Sequence, residues 1–169
     1  MGDLLRSSLR ITWVRNGAYL GRLVDDLGEA VARWIAQPAS ACAMNHPAWI
    51  VCHLRLYRRV ILDLLRGAAF DDPLDAPFGR GSKVSMEPAA HPAPREMRET
   101  IERLGADVLA ALDAAPTARF EAPNPLPRWR ELHPRVGEQL VTLMVKHESF
   151  HLGQLSAWRR AMGLPSVAM

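Results

Sequence analysis

The chain has 169 residues, 49% of them hydrophobic and 23% charged, with a formal net charge of +3. That length suits a single domain with a core of its own, and no apolar run approaches the roughly 18 residues needed to cross a bilayer. The positive excess, nearly all arginine, is too small to point to nucleic acid, and Cys42 and Cys52 are too few for a disulfide framework and lack C-x-x-C spacing, so a reducing cytoplasm is the expected setting.

Residues Trp13, Gly17, Leu20, Val24, Leu27, Val31 and Trp34 alternate steps of four and three, which predicts an amphipathic helix over about 6 to 36. The first ten residues lack an uninterrupted apolar core, so no secretory leader is expected there. Pro38 ends the helix, and Asn45 is the expected N-cap of the next one. That second helix, about 46 to 67, carries Ile50, Leu54, Tyr57, Ile61 and Leu64 on its seam, with Trp49 and His53 beside it and Gly67 as its stop. Arg55, Arg58 and Arg59 form a basic stripe on it, expected to be a solvated face. Cys52, about 100° round from His53, is expected to be a buried inert thiol.

From Ala68 to Pro94 no helical or strand period survives, which predicts a long loop serving as a lid, a crossover or a tolerated insertion. In it, Arg80 and Ser82 are candidates to recognise a substrate anion, on location alone. A third helix begins near Pro94 with Met97, Ile101, Leu104, Val108 and Leu112 on one seam. A second irregular stretch, from about Pro116 to Pro134, contains Arg-Trp-Arg before the last helix, about 135 to 162, which Gly163 and Pro165 terminate. Four long helices without an alternating strand predict an all-α fold, a four-helix bundle.

The last helix places His147 and His151 one turn apart on its inward stripe. Two buried imidazoles need partners, because an unpaired buried polar group costs about 1 to 3 kcal/mol. His53, on the inward face of the second helix, lies at a similar height along the bundle and completes a candidate three-imidazole set. Such a set suits a divalent transition metal with positions left open for water or substrate; a metal-free hydrogen-bonded cluster and a different ligand set are the alternatives. His46, His91 and His133 lie in or beside loops and are expected at the surface. Glu148 is expected either beside the site or as a helix-packing or surface carboxylate. Gln154, one turn beyond His151, is expected to orient a ligand or to serve packing and hydrogen bonding.

His147-Glu-Ser-Phe-His151 also matches the H-E-x-x-H pattern of zinc proteases. The rest of that pattern is missing, since no His, Asp or Glu follows His151, Gly153 is one position early for the extended motif, and Ala157 stands where its third histidine belongs.

Trp49-Ile-Val-Cys-His53-Leu, then His147-Glu-Ser-Phe-His151-Leu-Gly-Gln154-Leu with Arg159-Arg160-Ala-Met-Gly163-Leu-Pro165 behind it, resembles the DinB/YfiT-like superfamily of metalloenzymes over nearly the whole length in helix order. The resemblance implies an up-down-down-up bundle in which the 68–94 loop is the crossover. It also implies a divalent metal, zinc or nickel most often, held by His53, His147 and His151, and commonly a homodimer. Members with assigned activity are similar in thiol chemistry, among them bacillithiol S-transferases and mycothiol-dependent maleylpyruvate isomerase. The implied activity is transfer to or from a low-molecular-weight thiol cosubstrate acting on a small molecule; a metal-dependent hydrolase and a non-catalytic dimeric metal- or small-molecule-binding bundle are the alternatives.

Overall fold

Apolar residues at three- and four-residue spacing drive the chain into helices, and the computed structural model describes residues 2–39 and 44–168. Among the described residues there is no strand, only an isolated bridge between Pro123 and Arg135. Cys42 lies outside them.

Helix α1 (Gly2–Val24) buries Leu9, Trp13, Leu20 and Leu23. It is shorter than its apolar period predicts. A 3₁₀ turn at Asp25–Leu27 and Gly28 at φ 68° break it, and α2 (Val31–Trp34) is a separate turn. Leu27 and Trp34 stay buried, so the period persists across a break that spacing alone does not reveal. The Trp34 indole donates back to the Gly28 carbonyl at 3.0 Å, closing the turn.

Helix α3 (Pro47–Arg66) is buried along most of its length and ends at Gly67, whose φ of 70° is the left-handed stop expected there. Its N-cap is His46 rather than Asn45: the His46 Nδ1 accepts from the Trp49 backbone N–H at 3.1 Å. Helix α4 (Pro94–Ala114) buries Met97, Ile101, Leu104, Val108 and Leu112, the seam read from the sequence. The stretch after it contains a short helix, α5 (Thr117–Glu121), that a five-residue segment could not announce by periodicity. The last helix is α6 (Val136–Val141), a π-helical turn over Thr142–His147, and α7 (Glu148–Ala161).

Contacts fix the helix directions. Arg55 approaches Glu96 at 3.8 Å and Arg58 donates to the Ile101 carbonyl at 2.8 Å, so α3 and α4 run in the same sense. Trp13 donates to the Gly105 carbonyl and Arg98 to that of Gly28, so α1 opposes α4. Asn16 meets Ser149 and Arg159 reaches the Leu23 carbonyl, so α7 runs with α1. On α3, His53 stands between Trp49, which belongs to one apolar cluster with Trp34 and Trp158, and Tyr57, which belongs to the other with Leu104 and Leu140.

The expectation that the loop histidines and the arginine stripe lie at the surface fails where these side chains find partners inside the fold. His46 and His91 are buried, and both ring Nε2 atoms approach the Ser85 carbonyl at 2.9 Å. His133 is half-buried, its Nε2 3.0 Å from the Thr142 hydroxyl. Arg58 leaves the solvated stripe altogether and is 3% exposed.

Candidate metal centre

His53, His147 and His151 come together where α3 crosses the C-terminal helix, and their candidate ligand nitrogens lie within 4.8 Å of one another. The ring centroids of His53 lie 5.0 Å from His147 and 4.5 Å from His151, and those of His147 and His151 are 4.6 Å apart. His147 closes the π-helical turn and His151 sits one α-turn further on. π-turns recur at functional sites because the extra residue re-aims side chains.

Two of the three rings are oriented by hydrogen bonds on the nitrogen facing away from the cluster. His53 Nδ1 is 2.6 Å from the Phe78 carbonyl, an acceptor, so that nitrogen carries the proton and Nε2 keeps its lone pair. His151 Nδ1 donates in the same way to Gln154 Oε1 at 2.8 Å, with the Asn45 amide also reaching that oxygen at 3.5 Å. Trp49 stacks on His53 at 4.6 Å and 16°, which restrains the ring plane. His147 Nδ1 is buried with no hydrogen-bond partner among the described residues.

Burial keeps all three rings neutral. It pushes His147 down to about 3, with His151 and His53 adding repulsion, pushes His151 down to about 4, and lowers His53. Neutral imidazole is the form that ligates metal. The His53 and His147 Nε2 atoms are 3.0 Å apart, within the roughly 2.9 to 3.4 Å that two nitrogens adopt at about 2.0–2.1 Å from one ion. The donor set therefore fits a divalent transition metal.

A cleft of about 260 Å³ opens over the cluster. Beyond the histidines it is lined by Trp49, Tyr57, Trp129, Phe150 and Arg80, with no carboxylate among its lining residues. Tyr57 lies 4.6 Å from the His147 ring, and Trp129 stacks parallel to Tyr57 at 6.4 Å. Phe150 is 61% exposed and stands at the rim, whereas its neighbour His151 is buried. Tyr57 was legible as a seam residue one turn from His53. Trp129 carries no such signal, since the irregular stretch around it has no period.

The other candidates are sorted by their partners. Gln154 holds His151. Glu148 turns away from the histidines into a buried ion pair with Arg58, Nε–Oε1 2.8 Å and Nη2–Oε2 3.3 Å, so it is a helix-packing carboxylate. That engagement removes it as a general base of the zinc-protease kind. Ser82 is a strut of the loop, accepting from the Trp49 indole and donating to the Gly79 carbonyl. Arg80 does line the cleft. Cys52 is buried and burial raises its thiol to about 11, an inert group as expected.

No described helix is long and apolar enough to cross a membrane. Comparison with curated proteins and with solved structures gave no match. A family model described as the DinB superfamily matches residues 12–155, a span that contains all three histidines.

Proposed function

The chain belongs to the DinB superfamily, and from that membership and the histidine cluster we propose that it is a metal-dependent enzyme of the thiol S-transferase type. His53, His147 and His151 would hold the ion, a divalent transition metal by the chemistry of three imidazoles and zinc or nickel by the family resemblance. A divalent metal bound there supplies Lewis acidity, which lowers the pKa of a bound thiol or water. Phe78 and Gln154 keep the His53 and His151 rings in the ligating tautomer, and the aromatic lining makes the space over the rings largely apolar.

The observation that favours thiol over water as the nucleophile is the cleft's lack of a carboxylate, with Glu148 committed to Arg58. A thiol, at a pKa of about 8.5, needs far less help than water to lose its proton. Helix directions support the matching architecture, an up-down-down-up bundle in which residues 67–93 cross over between the parallel α3 and α4.

The test is a conjugation screen of the metal-loaded protein with several low-molecular-weight thiols against electrophilic small molecules. Turnover that disappears in His151→Ala supports the transferase reading. Ester hydrolysis without thiol turnover would assign a hydrolase instead, and no turnover of either kind would leave a binding protein.

A further inference from the structure

The aromatic cleft has one charged residue among its lining, the exposed Arg80, and the backbone turn that bears it is fixed. Arg80 follows Gly79, which is buried in a tight turn whose N–H donates to the Ala76 carbonyl at 2.7 Å and whose carbonyl accepts from the Ser82 hydroxyl at 2.8 Å. The next residue, Gly81, donates to the Leu74 carbonyl. Ser82 is tied in turn to the Trp49 indole at 3.3 Å, so the turn bearing Arg80 is fastened to the same tryptophan that stacks on His53. Among the described residues no hydrogen bond or ion pair engages the Arg80 side chain, and among the residues that line the cleft it is the one cation. An unpaired guanidinium beside a carboxylate-free, ring-walled cleft is a fork awaiting an anion.

We propose that the cleft takes a small ligand with a flat apolar body and a carboxylate, the body lying among the aromatic side chains that line the cleft and the carboxylate on Arg80. This rests on the reading of the cleft as the substrate site, and it names the substrate class. The rings of Trp49, Tyr57, Trp129 and Phe150 give the cleft an apolar, aromatic lining, and the volume of about 260 Å³ suits a compact molecule more than a peptide. Arg80 would act by binding and orienting the ligand; it takes no part in proton transfer, because guanidinium does not deprotonate in this range.

The experiment uses benzoate and its neutral isostere benzamide as probes, with binding read by NMR line shifts of the tryptophan indoles in metal-free and zinc-loaded protein. Benzoate is expected to bind both forms in preference to benzamide. Arg80→Gln is expected to weaken benzoate by about ten- to a hundredfold while leaving benzamide unchanged, with Arg80→Lys between them. Benzoate binding that needs zinc and ignores Arg80→Gln would assign the carboxylate to the metal and overturn the proposal. Equal binding of the two probes, or none of either, would overturn it as well. Because the metal-free arm is independent of metal content, its failure is distinct from failure of the metal-site reading.

Discussion

The Nε2 atoms of His53 and His147 face each other at 3.0 Å across the contact of α3 with the C-terminal helix. His53 has already committed its proton to the Phe78 carbonyl, so without an ion the proton between the two rings must come from His147. Were these rings to hold an ion through Nε2, the His147 proton would sit on Nδ1, which has no partner among the described residues. His147 is thus the ring whose tautomer would change on metal binding, whereas the Phe78 carbonyl and Gln154 Oε1 already favour the Nδ1-protonated form of His53 and His151.

Gln154→Leu is expected to weaken metal binding by about 10- to 100-fold, the usual cost of removing a hydrogen bond that orients a ligating histidine. The lost contact is His151 Nδ1 to Gln154 Oε1 at 2.8 Å. Competition with a zinc chelator measures it; an affinity equal to wild type would show that His151 does not depend on Gln154.

Acid should destabilise the metal-free fold well above the range of carboxylate protonation. His147 and His151 sit at about 3 and about 4 in the folded chain, against 6.5 when exposed, and burial is the main cause in both. The unfolded chain therefore takes up protons below pH 6.5 that the native state refuses. Stability is fully present above that value and falls as the pH drops toward 4, by about 1.4 kcal/mol per pH unit for each such imidazole. Urea unfolding at pH 7 and pH 5 measures the slope, and His147→Gln should make it shallower by about one such increment.

The buried pair Arg58–Glu148, 3% and 1% exposed, clamps α3 to the start of α7 beside the histidines. Arg58 also covers Trp13 at 4.7 Å and bonds the Ile101 carbonyl, so one side chain joins four helices. Removing one partner leaves a buried charge, and Arg58→Met should cost about 3 to 5 kcal/mol. The double variant Arg58→Met/Glu148→Leu should recover much of that loss in denaturant titrations. Additive losses in the double variant would contradict this account of the pair.

Two glycines should respond oppositely to alanine. A Cβ on Gly79 would run into the backbone carbonyl oxygens of Pro73 and Leu74. Gly79→Ala must therefore distort the turn between Phe78, which orients His53, and Arg80, lowering both stability and metal affinity. At Gly153, in α7, an added methyl would meet nothing within 4 Å, and Gly153→Ala should stabilise by about 0.5 to 1 kcal/mol. Thermal melts of the two variants measure the contrast.

What could be read from the sequence follows from which signals are periodic. The α4 seam and the inward positions of His53 and His151 obey the helical period and stand in the structure as read. The break at Gly28 and the π-turn before His147 preserve apolar spacing around them, so they leave no trace in it. Trp129 and the Phe78 carbonyl reach the site from irregular segments, where neither a period nor a backbone atom is visible in residue types. Arg58 misleads because a charge on a helix looks solvated until its partner, ninety positions away, is known.

The central claim is that His53, His147 and His151 hold one metal ion, and metal content tests it most directly. Protein purified without a histidine tag, incubated with zinc or nickel and freed of excess, is expected to carry about one ion per chain by elemental analysis. His53→Ala and His151→Ala, checked for folding by circular dichroism, are expected to carry almost none. Wild type and both variants retaining equally little metal, or equally much, would contradict the account.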